Sequence, residues 1–106
     1  MKIIDFRFRP NTPEIINGIK NSSMFKATCE AIGFDKRVPQ ALPEIVADLD
    51  RRGVELCVVS GRDCETTYGF PANNNSILEF CRAYPNKFLG FWGIDPHKGM
   101  DAVREV

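Results

Sequence analysis

The segment from Val54 to Val59 limits the possible fold more than any other part of this sequence. It is apolar at nearly every position, and it directly follows Gly53, which ends a helical pattern. A strand with apolar side chains on both faces is typical of a parallel sheet covered by helices. We therefore expect an α/β fold in which this segment is a buried strand.

Further strands and helices are predicted on either side of this segment. Lys2 to Phe8 and Phe88 to Ile94 have the composition of strands. Apolar spacing and turn residues predict helices over residues 12–19, 23–32, 42–52 and 73–84, and another from Met100 onward. Three asparagines, Asn73 to Asn75, offer the N-cap of the fourth helix. The order is β-α-β-α-β-α, which implies right-handed crossovers and a parallel sheet within a single α/β unit, residues 1–106.

Length, charge and cysteine content exclude several classes of protein. The 106 residues include fourteen basic and fourteen acidic side chains, whereas a nucleic-acid-binding protein normally has a basic excess. No apolar run reaches the roughly 18 residues of a membrane span. The four cysteines form no Cys-x-x-Cys pair and there is one histidine, so the spacing predicts no zinc site. A charge at Asp5 argues against a signal peptide, and we expect reduced thiols and a cytoplasmic location.

The first predicted strand carries an unusual pair of charges. The two-residue period places Ile4, Phe6 and Phe8 on one face, and Asp5, Arg7 and Arg9 on the other. Arg7 and Arg9 would stand about 7 Å apart and form a fork for a carboxylate or phosphate. Asp5 could pair with one of them and hold it in place. The alternative is a salt-bridge layer of Asp5 with both arginines that binds no ligand.

The loop after the second strand is the other candidate region. It spans thirteen residues, Ser60 to Ala72, and loops of that length are often functional. Arg62 and Asp63 could face a substrate, or they could be solvated loop charges. Tyr68 and Phe70 could line a pocket or pack on the surface.

Other side chains have simpler interpretations. Cys57 and Cys81 are predicted core residues, and Cys64 a loop thiol without a nearby base. Trp92 is predicted in the core, and His97 is predicted to form hydrogen bonds at a helix start.

Two segments resemble the amidohydrolase-related (amidohydrolase 2) family of metal-dependent hydrolases. Residues 3–10, Ile-Ile-Asp-Phe-Arg-Phe-Arg-Pro, are similar to the family's opening strand, I-D-x-H-x-H-x-x-P. Residues 77–106 resemble the family's N-x-x-(L/V)-x-E-x-x-x-x-(H/Y)-P-x-(R/K)-F-x-G pattern followed by D-P, through Glu79-Phe80, Tyr84 to Phe88, Gly90-Phe91 and Asp95 to His97. The family's proteins are (β/α)8 barrels, which need about 250 residues. The resemblance therefore implies the first three βα units of a TIM-type barrel, truncated.

One departure from the family pattern bears on chemistry. The family's two metal-binding histidines correspond to Arg7 and Arg9, and a guanidinium has no lone pair for a metal. The resemblance implies a hydrolase or decarboxylase of a small carboxylate-bearing substrate. Arg7, Arg9, Asp5 and Arg62 are the expected substrate-binding residues, and Arg7 and Arg9 would bind anion where relatives bind metal.

Several points stay open at this stage. The catalytic residues are not identified, and it is open whether a divalent metal such as zinc is bound. This chain alone is expected to be inactive. The alternative is a non-catalytic protein of the same scaffold that binds a small carboxylate- or phosphate-bearing molecule. Unpaired edges of an incomplete barrel would need a second copy, so we also expect self-association.

Overall fold

The computed structural model describes residues 2–106 and has alternating strands and helices. Strands β1 (Ile3–Phe8), β2 (Val54–Ser60) and β3 (Phe88–Phe91) form one parallel sheet with β2 in the middle. The helices are α1 (Pro13–Lys20), α2 (Lys26–Ala31), α3 (Leu42–Arg51), α4 (Glu65–Tyr68), α5 (Asn74–Ala83) and α6 (Met100–Arg104). Short 3-10 turns are present at Ser23–Phe25, Phe34–Lys36 and Pro96–Lys98. The prediction of a mixed α/β fold with a parallel sheet is confirmed.

Helix α3 shows how the local sequence sets the bounds of an element. Its first turn contains Pro43 and Glu44, which suit the free N–H groups and the positive end of a helix. Its last turn contains Arg51, and Gly53 then adopts a left-handed φ of 74°. Because glycine has no Cβ to clash in this conformation, the chain can turn there and enter β2.

The core lies between one face of the sheet and helices α3 and α5. Its buried members are Ile45, Val46, Leu49, Cys57, Val59, Ile77, Phe80 and Phe88. Cys57, Val58 and Val59 are consecutive and all buried, so β2 is buried on both faces, as predicted. Burial raises the pKa of the Cys57 thiol to about 11, which keeps it protonated. Cys81 is half-buried and packs against the same cluster.

The opposite face of the sheet is exposed and apolar. We call it the open sheet face and define it by Ile4, Phe6, Leu89 and Phe91, which expose 59%, 76%, 51% and 53% of their surface. Leu89 is paired with Val58, the residue between Cys57 and Val59, and so points away from the core. β1 and β3 are the edges of the sheet, and within residues 2–106 neither has another strand on its outer side.

The predicted alternation along β1 is wrong at Phe8. Asp5 is paired with Cys57 and Phe8 with Val59, so three steps along β1 match two along β2. The extra residue is a bulge, which reverses the facing of the residues that follow it. Phe8 therefore points into the core and stacks on Phe88, with ring centroids 6.3 Å apart, whereas Phe6 is on the open sheet face.

The predictions for three other segments also need correction. Strand β3 ends at Phe91, because the side-chain amide of Asn74 occupies both backbone groups of Gly93. Trp92 is consequently outside the core and exposes 42% of its surface. Residues 23–32 form a 3-10 turn and then α2 instead of one helix, and the loop over residues 60–72 contains α4.

Candidate anion-binding site

Four arginines without ion pairs in the described chain surround a cavity at the carboxyl ends of β1 and β2. The cavity has a volume of about 540 Å³. Arg7 and Arg9 border it from the end of β1, and Ser60 and Arg62 from the end of β2. Parallel strands bring their carboxyl ends to the same edge of a sheet, and α/β proteins bind ligands preferentially at that edge.

The charge around this cavity is of one sign. Four of its lining residues are arginines, Arg7, Arg9, Arg37 and Arg62, and the lining contributed by residues 2–106 contains no aspartate, glutamate, lysine or histidine. Within the described chain none of the four forms an ion pair. A cleft with a single sign of charge and low-dielectric walls concentrates ions of the opposite sign.

Arg62 is held in place through its backbone by Asn73. The Arg62 N–H donates to Asn73 Oδ1 at 2.5 Å, and the Asn73 N–H donates to the Arg62 carbonyl oxygen at 3.0 Å. These two bonds fix the point where the chain leaves β2 against the beginning of α5. The direction in which the Arg62 side chain leaves the backbone is therefore set by the fold.

The guanidinium group of Arg62 stacks on an aromatic ring, but not all of its N–H donors have a hydrogen-bond acceptor. Its Cζ lies 4.9 Å from the centroid of the Phe70 ring, a cation–π arrangement. Its Nε is buried and has no hydrogen-bond partner within the described chain. Burial lowers the pKa of Arg62, and the like charge of Arg9 lowers it further.

The structure brings three of the four expected binding residues together. Arg7, Arg9 and Arg62 line the cavity, but Asp5 does not. Asp5 Oδ1 accepts a hydrogen bond from the backbone N–H of Arg7 at 3.0 Å. Neither Arg7 nor Arg9 forms an ion pair with Asp5 in the structure of residues 2–106, so the alternative of a salt-bridge layer is not observed there. The aspartate shapes the backbone at the bulge instead.

Apolar side chains form the remaining wall, which the sequence did not indicate. They come from α1 and α2, the turn between them and the neighbouring loops: Ile15, Ile16, Ile19, Phe25, Cys29, Ile32, Phe34 and Phe70. The Phe70 ring lies 4.7 Å from that of Phe25, and Phe70 is buried. Tyr68 contacts Phe25 edge to face and lies outside the lining. Of the two loop aromatics, Phe70 therefore lines the cavity.

Asn73 and Asn74, at the beginning of α5, use their side chains to bind neighbouring loops and not to cap the helix. No side-chain cap bond is formed at Asn73. Asn74 is buried, its Nδ2 donates to the Gly93 carbonyl at 2.7 Å, and its Oδ1 accepts from the Gly93 N–H at 2.9 Å. A Cβ atom on Gly93 would collide with the backbone of Gly61. At the carboxyl edge of the sheet, the side-chain amides of Asn73 and Asn74 thus bond to backbone groups of Arg62 and Gly93, in the place of a neighbouring strand.

A second charged cluster lies nearby, and its lysine is paired with carboxylates. The Asp63 side chain is fully buried and accepts a hydrogen bond from Lys98 Nζ at 2.6 Å, and Glu65 lies 3.3 Å from the same ammonium. Asp63 hydrogen-bonds to Lys98 and raises its pKa. The alternative of a solvated loop charge is therefore wrong for Asp63, which is buried, whereas Arg62 is half-buried.

Asp95 closes this cluster from the side of β3. Its carboxylate accepts from the backbone N–H groups of Thr66 and His97, both at 3.0 Å. Hydrogen bonds from the side chain and backbone of Thr66, and from the backbone of His97, lower the Asp95 pKa. His97 takes part through its backbone, and its side chain is exposed.

No metal-binding cluster of three histidine, cysteine, aspartate or glutamate side chains is found in residues 2–106. Burial raises the pKa of the Cys64 thiol, so this cysteine is protonated at neutral pH. Within the same residues, no helix is long and apolar enough to cross a membrane.

Comparison of the chain with family models, with curated proteins and with solved structures returns no match.

Proposed function

We propose that this chain binds a small molecule carrying a carboxylate or a phosphate group in the 540 Å³ cavity. Arg62, Arg7 and Arg9 are the proposed binding residues. The observation that supports this most strongly is the lining itself, in which residues 2–106 contribute four arginines and no acidic side chain. A cleft with a single sign of charge attracts ions of the opposite sign.

The geometry around Arg62 suits an oxyanion. A guanidinium presents its donors in one plane, which matches the two oxygens of a carboxylate or phosphate. Stacking on Phe70 restricts that plane, and Asn73 restricts the backbone beneath it. Arg9 lines the same cavity and its like charge lowers the Arg62 pKa, so an anion bound by both guanidinium groups would offset that repulsion.

Isothermal titration calorimetry with benzoate and with inorganic phosphate tests this proposal. We expect binding that weakens as salt is added, and a loss of at least about tenfold in affinity for Arg62→Met. Arg82→Met is the matched control, because Arg82 is exposed on α5 and does not line the cavity. The proposal fails if neither anion binds, or if the Arg62 and Arg82 variants bind as tightly as the wild type.

A second candidate is hydrolysis or decarboxylation of the bound acid, with the chain as the first units of a TIM-type barrel. Its support is the position of the cavity at the carboxyl ends of parallel strands, where such enzymes carry their active sites. The resemblance of residues 3–10 and 77–106 implies the same class. Because the lining from residues 2–106 offers no carboxylate, imidazole or amine, acid–base groups and any divalent metal would have to be held elsewhere.

Metal content and product formation separate the two candidates. The protein is incubated with zinc or manganese, dialysed and analysed for bound metal, and then supplied with benzoate-type acids while carbon dioxide is measured. Stoichiometric metal together with turnover supports the enzyme, whereas tight binding with neither supports a binding protein. The four free cysteines are consistent with a reducing compartment, so we also propose a cytoplasmic location.

A further inference from the structure

We infer that the molecule bound at this site is an amphipathic acid: one carboxylate on the arginines and an aromatic or branched hydrocarbon body beneath α1 and α2. This inference rests on the proposed anion site and adds the chemical class of its ligand. Polar acids of similar charge, such as dicarboxylates and sugar phosphates, would be excluded.

The two sides of the cavity differ in chemistry. The strand ends contribute Arg7, Arg9, Ser60 and Arg62. The opposite wall comes from residues 15–37 and is mostly apolar; its polar members are Thr28 and Arg37, and the Arg37 guanidinium lies 5.0 Å from the centroid of the Phe34 ring. Two residues of this wall, Ile16 and Cys29, are buried, with 0% and 4% of their surface exposed. A ligand that pairs its charge with the arginines must therefore place the rest of its atoms against hydrocarbon.

The volume of the cavity limits the size of this body. If each ligand heavy atom needs about as much space as a water molecule, roughly 30 Å³, then 540 Å³ has room for about 18 heavy atoms. A two-ring acid such as 2-naphthoate is within this limit. A polyhydroxylated or doubly charged ligand would lose hydrogen bonds to water at the apolar wall without replacing them.

A ligand series on the wild-type protein tests the inference without any variant. Calorimetry compares 2-naphthoate with acetate, succinate and the neutral 2-naphthol. Since each buried methylene adds roughly three- to fourfold in affinity, we expect 2-naphthoate to bind at least about 30-fold more tightly than acetate or succinate. We expect 2-naphthol to bind at least about tenfold more weakly than 2-naphthoate, because it lacks the charge.

A wall variant gives a second, independent measurement. Ile19→Ser should weaken 2-naphthoate binding about tenfold and leave acetate binding unchanged. Val38→Ser is the matched control, because Val38 is 79% exposed and does not line the cavity. Equal affinities for 2-naphthoate, acetate and succinate would overturn the inference while leaving the anion site intact. Failure of every acid to bind would overturn the proposed function itself.

The open sheet face carries a second, independent inference: we propose that it is covered by a second copy of this chain. Ile4, Phe6, Leu89 and Phe91 expose between 51% and 76% of their surfaces. At about 200 Å² for a large side chain, this is roughly 500 Å² of apolar surface per copy. Two copies would bury roughly 1,000 Å², which is about the minimum for a specific interface.

A further observation favours a copy of the same chain. The net charge is zero, so two copies do not repel each other by their overall charge.

Sedimentation velocity across a concentration series tests this association. We expect a dimer in the wild type and a dissociation constant at least about tenfold higher for Phe6→Ser. Val38→Ser is again the control, because it removes an equally exposed apolar side chain outside the sheet. A wild-type protein that remains monomeric at about 1 mM would overturn the proposal, as would a Phe6→Ser protein that dimerises like the wild type.

Discussion

Lys98 and Arg62 are both cations at the carboxyl edge of the sheet, and their surroundings differ. Lys98 lies between the carboxylates of Asp63 and Glu65, and the first of these is fully buried. Arg62 lines a cavity with three other arginines, and its buried Nε has no partner within residues 2–106. A charge matched within the chain contributes to the fold, whereas an unmatched one weakens it unless a ligand supplies the match. Changes that remove each charge should separate the two roles.

The largest effect is expected from Lys98→Met. The substitution leaves the Asp63 carboxylate buried without its counter-ion, which is strongly destabilising. We expect the melting temperature to fall by about 10 °C or more. Lys36→Met is the control, since Lys36 is exposed and forms no ion pair in the described chain. Calorimetric melting that moves by less than about 2 °C in the Lys98 variant would mean that the pair contributes little.

Asp95→Asn should give the next largest effect, and a distinctive dependence on pH. Hydrogen bonds from Thr66 and His97 lower the pKa of this carboxyl below its usual 3.8, so its ionised form stabilises the fold. That contribution is present above the usual pKa and is lost as the pH falls through the lowered value. We expect Asp95→Asn to be less stable at neutral pH and to lose less stability than the wild type between about pH 4 and pH 2.

Urea unfolding at a series of pH values measures this difference. Asp35→Asn serves as the reference, because Asp35 is exposed in a surface turn. Parallel stability curves for the wild type and Asp95→Asn in acid would show that the hydrogen bonds to Asp95 do not stabilise its ionised form.

Arg62→Met should change stability in the opposite direction to Lys98→Met. Removing an unpaired, partly buried charge and keeping the apolar stem should leave the melting temperature of the ligand-free protein unchanged or raise it by up to about 5 °C. The ligand-dependent rise in melting temperature should disappear at the same time. A clear destabilisation of the ligand-free variant would indicate that Arg62 has a structural role like that of Lys98.

The smallest effect is expected from Arg104→Gln. Arg104 and Asp101 form an exposed i,i+3 pair at 2.9 Å, with 72% and 76% of their side chains exposed. Solvent screening leaves such a pair a contribution below about 0.5 kcal/mol. The urea unfolding curve of the variant should therefore coincide with that of the wild type within error. A clear loss in the free energy of unfolding would show that an exposed ion pair can contribute substantially to stability in this protein.

The fold was largely predictable because its signals are local. The apolar spacing of α3, the glycine at position 53 and the continuous apolar run of β2 each depend on residues close together in the chain. The bulge in β1 was not predictable, since it depends on pairing with a strand about fifty residues away. Phe8 and Trp92 were misplaced for this reason: their environments are decided by β2 and by Asn74.

The candidate site was predictable only in part. Arg7 and Arg9 could be identified because two arginines spaced two apart on a strand are a visible pattern. Lys98, which pairs with Asp63, is 35 residues away, and Asn73, which binds the backbone of Arg62, is 11 residues away. No spacing rule in the sequence connects either pair. The sequence therefore could not indicate which loop charge would be matched and which would remain available. The apolar wall from α1 and α2 was hidden for the same reason, because those helices resemble ordinary core helices.

The bonds between Asn73 and Arg62 also connect the binding site to the beginning of α5. The Asn73 carbonyl oxygen accepts a hydrogen bond from the N–H of Ile77, while the N–H and the side chain of Asn73 bond to the backbone of Arg62. A ligand that immobilises Arg62 should therefore slow the opening of the first turn of this helix. Amide hydrogen exchange at Ile77 would become slower on binding, although this amide lies on the core helix and not on the loop that carries the arginine.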